Sequence, residues 1–307
     1  MHTATFPRQL AAFIVSTVLV ASAQWASAAP VFQVVGKGGQ GPFDASSSAA
    51  LSRASNASGS FTDPINGGTN GSANNAYAAA GPDGLRVDAN STVFSSYSPG
   101  GTPGQFFDRV DPGASAAMTL DDVIISGPAG TISTSYRIHL SGSLQASKQA
   151  QAEFSLGSAG VGIQLLGNGN LLNDNSAIKY SGQPQIGSGL LTNFTGSDDL
   201  NSDPFSVMAN QAFAITIRLL AFANSTLDAT DTGAVSAAAN FSNTLTFVTN
   251  GPVFVLPVGY TANSISGNIS NNQFVPAVVP LPASIWLLIT AVAGLGGRRW
   301  LRRKISS

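Results

Sequence analysis

In run after run of this chain, apolar and polar residues alternate one by one, and a period of two commits a segment to a β-strand with one buried and one wetted face. From Thr131 to Leu140, Ile132, Tyr136, Ile138 and Leu140 fall on one face, and Ser133, Ser135, Arg137 and His139 on the other. Phe213, Ile215, Ile217 and Leu219 alternate with Ala214, Thr216 and Arg218, and Ala152, Phe154 and Leu156 with Gln151, Glu153 and Ser155. Further strands are expected over 31–35, 86–97, 120–126, 160–166, 235–247 and 253–256. Turn chemistry separates them at Gly81-Pro82-Asp83-Gly84, Ser98-Pro99-Gly100-Gly101, Gly127-Pro128-Ala129-Gly130 and Asn250-Gly251-Pro252. Helical periodicity is nearly absent between the two ends. The pattern predicts an all-β fold, an antiparallel β-sandwich of jelly-roll-like type. A β-helix is the rival, but no short repeat of fixed period is visible. The glycine-rich 36–41 segment and the Asn/Gly/Ser/Ala stretch 46–80 read as weakly ordered surface, with a short helical excursion at 49–53. Residues 273–279 read as a linker.

Both ends depart from this pattern. Arg8 precedes an apolar stretch from Leu10 to Ala21, and Ala26-Ser27-Ala28 offers an A-x-A cleavage site. These are the three regions of a secretory signal peptide, so residues 1–28 are expected to be removed by signal peptidase after engaging the secretion machinery. A retained signal anchor is the alternative. At the other end, Val279-Pro280-Leu281-Pro282-Ala283 leads into an apolar run from Ser284 to Gly297, and then into Arg298, Arg299, Arg302, Arg303 and Lys304. A helix over about 283–297 rises about 1.5 Å per residue, so even one begun at Pro282 reaches roughly 22–24 Å, short against a hydrocarbon core of about 30 Å. Its basic cluster, 298–304, should stay cytoplasmic, which leaves the residues before the helix outside.

Prolyl motif, thin apolar helix and arginine cluster, in that order, resemble the PEP-CTERM sorting signal in its VPLPA variant. The resemblance implies a Gram-negative exosortase substrate, held briefly in the membrane by its C-terminal helix. It also implies delivery to the cell surface or extracellular matrix, in association with exopolysaccharide. An ordinary C-terminal anchor helix is the plainer alternative. The expected organisation is a signal peptide over 1–28, a β-sandwich ectodomain over 29–275 and a sorting tail over 276–307.

Charge narrows the partners of the ectodomain. It carries eight Lys and Arg residues against fourteen Asp and the single Glu153, and eight minus fifteen gives −7. A sparse, acidic charge set argues against nucleic acid, which requires clustered Lys and Arg. The chain has no Cys, so thiol catalysis, disulfides and Cys-ligated metals are excluded.

Little in the ectodomain reads as catalytic. Once His2 leaves, His139 is the single histidine, and no G-x-S-x-G elbow is present. A glycosidase needs two carboxylates acting together. The adjacent pair Asp121-Asp122 should point to opposite faces of its strand, which disfavours joint action. No cofactor is expected except Ca²⁺, for which Asp199, Asn201 and Asp203 supply oxygen at alternate positions with Asp198 adjacent. Pro204 and Asn210 stand where an EF-hand needs Gly and Glu, and Asp and Asn are also ordinary turn residues. The leading expectation is a non-enzymatic surface or matrix protein. The alternative is a lectin-like module using Tyr77, Phe94, Tyr97, Phe106, Phe107, Tyr180 and Phe194, although no Trp occurs between Trp25 and Trp286. A secreted glycan-active enzyme stands third.

Overall fold

Most of the segments in which the alternation is read are strand where the structure describes them; Ser155 lies outside any strand, and the expected strand 253–256 shrinks to Phe254–Val255. The computed structural model describes residues 30–38, 41–62, 69–96, 108–110, 112–150, 155–182, 186–188, 196–227 and 232–275. The expectations for Ala26 and Ala28, for Val279 to Ala283 and for Arg298, Arg299, Arg302, Arg303 and Lys304 lie outside these residues. The expected alternation at 151–154 and the aromatic candidates Tyr97, Phe106, Phe107 and Phe194 do as well.

The strands in chain order begin with β1 (Val31–Gly38), β2 (Gly41–Ser47), β3 (Leu51–Thr62), β4 (Thr69–Gly81), β5 (Gly84–Ser96) and β6 (Asp108–Val110). The middle of the chain supplies β7 (Gly113–Ser126), β8 (Thr131–Lys148), β9 (Leu156–Gly167), β10 (Asn170–Tyr180), β11 (Ile186–Ser188), β12 (Gly196–Asn201) and β13 (Phe205–Met208). Last come β14 (Ala212–Leu227), β15 (Gly233–Phe247), β16 (Phe254–Val255), β17 (Thr261–Asn263), β18 (Ile269–Ser270) and β19 (Gln273–Phe274). Every pairing among them is antiparallel. One sheet runs β11-β10-β9-β14-β7-β1-β2, with β17 beside β7 and β6 beside β14. The other runs β12-β8-β15-β5-β4-β3, with β13 and β16 also on β8. The two face each other: β14 lies against β5 and β15, β9 against β15 and β8, and β1 against β4 and β3. The described fold is therefore all-β and sandwich-like.

The core fills the space between the inner faces. Ile132, Tyr136, Ile138 and Leu140 of β8 are buried, as the alternation requires, and so are Phe213, Ile215, Ile217 and Leu219 of β14. One region is aromatic: Tyr136, Phe205, Phe213 and Phe254 pack edge-on or tilted with ring centres 5.9–6.1 Å apart. Alanines line another part of the core, among them Ala76, Ala78, Ala80, Ala89, Ala221, Ala237 and Ala239. A polar contact bridges the sheets where the Ser91 and Ser225 hydroxyls meet at 2.7 Å. Val93, Ala150, Leu227 and Val235 form a second, smaller apolar cluster.

Four expectations need correction. Residues 46–80 are chiefly strand, because β3 and β4 pair along their whole length and Ala76, Ala78 and Ala80 are buried. Alanine alternating with Asn, Ser and Tyr gives a weak apolar signal, and burial beneath the facing sheet supplies the rest. Leu51–Arg53 accordingly opens β3 and forms no helix. Gly36 and Gly41 belong to the β1–β2 hairpin, where a Cβ at Gly36 would strike the Phe43 ring at 2.3 Å. Gln273–Phe274 is a strand paired with β18, so the fold extends into the expected linker.

Candidate functional site

The outer face of the second sheet carries three transverse rows of side chains. Asn56, Asn75, Asn90, Ala238 and Gln145 stand in register across β3, β4, β5, β15 and β8. Asn90 Nδ2 donates to Asn75 Oδ1 at 2.7 Å. The next row holds Ser58, Ala73, Thr92, Ser236 and Ser147, with the last two hydroxyls 2.7 Å apart. On the other side stand Ala54, Tyr77, Asp88, Asn240 and Ser143.

Small residues on the middle strand turn this face into a shallow groove. Ser236 and Ala238 of β15 lie between Asn90 and Thr92 on β5 and Gln145 and Ser147 on β8, leaving about 260 Å³. The walls are two strand spacings apart, roughly 9–10 Å. No Lys, Arg, Asp or Glu lines the groove, which presents amides, hydroxyls and methyl groups. Such a surface can hydrogen-bond a neutral polyhydroxylated chain and offers no counter-charge to an ion.

Asp88, just beyond it, serves the backbone. β15 slips its register between Phe241 and Leu245, which takes N–H groups out of the ladder. Phe241 N donates to Asp88 Oδ1 at 3.0 Å. Burial raises the Asp88 pKa, opposed by the backbone hydrogen bonds from Phe241 and Ser242. Gly142 is required opposite the slip, since a Cβ there would lie 2.4 Å from the Phe241 ring and 2.5 Å from the Asn240 carbonyl.

His139 faces edge strand β12. Its Nδ1 lies 2.6 Å from Asp199 Oδ1, and an Arg137 guanidinium nitrogen lies 3.9 Å from Asp199 Oδ2. The side chains are 41% (His139), 53% (Asp199) and 29% (Arg137) exposed, so this is a surface cluster. It ties β12 onto β8, where Asp199 and His139 are register partners. Among the described residues, His139 Nε2 has no hydrogen-bond partner.

Of the expected calcium ligands, Asp199 and Asn201 lie within β12, one pleat apart and exposed. Asp203 follows buried Ser202, whose hydroxyl accepts from Tyr136 N at 3.0 Å. The segment is thus strand through Asn201, and Asp199 is engaged by His139 and Arg137. Among the described residues, no group of three or more His, Asp or Glu side chains is placed to hold a metal ion.

Asp121 and Asp122 also differ from expectation. β14 pairs Phe213 with Val123 and Ile215 with Leu120, so both aspartates oppose Ala214 alone. This β-bulge keeps Leu120 and Val123 pointing inward and leaves neither aspartate in the core. Asp122 accepts from Ser264 Oγ at 2.6 Å and from Ser266 N at 2.9 Å, and Ser266 Oγ donates to it too, which fastens the C-terminal turns to β7.

Three asparagines complete backbone ladders, a role that composition alone did not reveal. Asn168, Asn210 and Asn272 adopt positive φ of 49°, 62° and 63°. Asn210 pairs with both backbone groups of Gly127, and Asn272 with both of Phe254. Asn168 Oδ1 accepts from Ala214 N at the Asp121–Asp122 bulge. Positive φ and a local amide are what Asn supplies more readily than other Cβ-bearing residues.

Among the described aromatic candidates, Tyr77 and Phe94 share the outer face of the second sheet, whereas Tyr180 closes β10 on the other sheet. Tyr77 opposes Asp88, six residues before Phe94, which separates the two rings by roughly 20 Å along the strands. No protein-family model, curated protein or solved structure matches the chain.

Proposed function

We propose that this chain is a non-enzymatic exported protein of the bacterial surface or extracellular matrix, sorted by an exosortase and associated with exopolysaccharide. The carrying observation is the order of Val279-Pro280-Leu281-Pro282-Ala283, thin apolar segment and arginine cluster, opposite a secretory N-terminus. Pro280 and Pro282 lack N–H groups and bias the residues before them away from helix, which leaves the backbone near Leu281 extended for a membrane protease. The test is the C-terminal mass of the surface-released protein, with and without the host exosortase. Cleavage near the motif supports the reading; an intact Ser307 on mature surface protein reduces the tail to a plain anchor.

Polysaccharide contact is assigned to the groove over Ser236 and Ala238, whose uncharged amide and hydroxyl lining suits a neutral glycan. Ala238→Trp fills that groove from its floor. Retention on the host's exopolysaccharide should fall while the melting temperature holds, and undiminished retention would remove the groove from the proposal. Tyr77 and Phe94 at opposite ends of the same face favour a second reading, a lectin-like module that stacks sugars on aromatics. Glycan-array binding with and without EDTA separates a calcium-dependent lectin from a matrix component with no discrete glycan specificity. The jelly-roll-like reading of the sandwich is supported by the late insertion of β14 between β9 and β7, and of β15 between β8 and β5.

A further inference from the structure

We propose that the open edge of β3 pairs with the β3 edge of a second copy of this chain, in a two-fold antiparallel arrangement centred on Asn56. Two protomers then share one continuous sheet. The inference is independent of the proposed function and rests on how unequally the sheet edges are protected.

An edge strand displays unpaired N–H and C=O groups, and proteins guard it with short length, charge or proline. β2 has seven residues with Pro42 and Asp44; β12 has six with Asp198 and Asp199; β11 has three. β3 has twelve residues, no proline and one charge, Arg53. It pairs with β4 from Leu51 to Thr62, and no described strand pairs with its other side. Among the described residues, β3 is the one of these edges that is long, nearly neutral and free of a strand on its outer side.

The side chains specify a register. Ser52, Ala54, Asn56 and Ser58 are exposed on the outer face. The row of Asn90 and Asn75, joined by their 2.7 Å hydrogen bond, ends at Asn56 on the open edge. A primary amide is self-complementary across a two-fold axis, because each copy donates one N–H and accepts one. Centring on Asn56 joins the rows of both protomers into a six-amide ladder, a side-chain arrangement that stabilises stacked strands. Ala54 then faces the partner's Ser58, and Arg53 faces the partner's Gly59, so no like charges meet. Both edges are consumed in the pairing, so the assembly closes as a dimer and does not grow into a fibre.

The absence of cysteine makes a direct test available, since an introduced thiol has no native competitor. Ala54→Cys and Ser58→Cys versions of the exported full chain, carrying different tags, are mixed in detergent and mildly oxidised. Register partners have Cα atoms about 4.5–5.5 Å apart, within disulfide reach, so the mixture should cross-link at least about tenfold more than either variant alone. Sedimentation should give a dimer for the unmodified chain and a monomer for Asn56→Lys or Asn56→Asp alone. Mixing those two variants should restore the dimer, which a misfolded variant would not do. A unmodified chain that stays monomeric, an Asn56→Lys chain that stays dimeric, or preferred cross-linking of Ser52→Cys with Ser58→Cys would each overturn the proposal.

Discussion

Replacing Asn272 should separate the worth of its side-chain hydrogen bonds from that of its backbone conformation. Its Oδ1 accepts from Phe254 N and its Nδ2 donates to Phe254 O, both at 2.8 Å, so one amide closes the strand end as a backbone partner would. Phe254 is fully buried against Tyr136 and Phe213, so its backbone is costly to leave unpaired. Two neutral hydrogen bonds at about 0.5–1.5 kcal/mol each give about 1–3 kcal/mol. Asn272 also sits at φ 63°, a conformation that costs an ordinary Cβ-bearing residue about 1–2 kcal/mol. Asn272→Ala loses on both counts, about 2–5 kcal/mol. Asn272→Gly is released from the φ cost and gives back about 0.5–1 kcal/mol through its freer unfolded chain. Glycine should therefore be the milder substitution by roughly 0.5–1 kcal/mol, the reverse of the usual order within a strand. At about 2–4 °C per kcal/mol for a domain of this size, Asn272→Ala should lower the melting temperature by roughly 4–20 °C. Thermal unfolding followed by far-UV circular dichroism reads the series. Alanine equal to or better than glycine, or both variants melting with the parent, would refute the reasoning.

Tyr136→Phe should cost only about 0.5–1 kcal/mol, because the hydroxyl makes long bonds of 3.3 and 3.4 Å to the Leu166 and Thr216 carbonyls. Tyr136→Ala should cost about 3–5 kcal/mol by opening the aromatic cluster; urea denaturation midpoints measure both, and similar losses would contradict the packing described. Asp88 has a folded pKa raised by burial, so the folded state holds its proton more tightly than the unfolded state does. Its contribution is then best below the ordinary carboxylate range, falls as pH rises through the folded value, and stays reduced above it. Asp88→Asn should accordingly gain on the parent between about pH 3 and pH 7 in denaturation experiments, and a gap that narrows would reverse the sign. If Asp199 and Asp203 hold Ca²⁺, added calcium should raise the melting temperature of the parent and not of the Asp199→Ala, Asp203→Ala double variant. Equal responses would leave Asp199 solely as the partner of His139 and Arg137.

The strands of the central sandwich were legible because their inward residues are large. Ile132, Tyr136, Ile138 and Leu140, or Phe213 to Leu219, repeat at period two and are buried at that period. Legibility failed where the buried residues are alanines. Ala76, Ala78 and Ala80 supply little apolar area each, and Asn75 and Gly81 beside them are turn formers, so a core strand resembled loose surface. The groove was hidden for a related reason: Ser236 and Ala238 become a floor only when β5 and β8 stand on either side.

The sequence by itself determined the strand-forming segments whose inward residues are large, the face each of those strands buries, the acidic and cysteine-free character of the central segment, and the sorting signals expected on either side of it. These follow from local periodicity and composition, which need no knowledge of neighbours. Only tertiary structure decided which strands became edges, that a bulge would keep both Asp121 and Asp122 out of the core, and that His139 would meet Asp199 from sixty residues away. It also gave Asn168, Asn210 and Asn272 their backbone partners. Strand order and bulges arise from long-range pairing, and a period-two pattern marks the face a strand buries without marking the strand that will lie beside it.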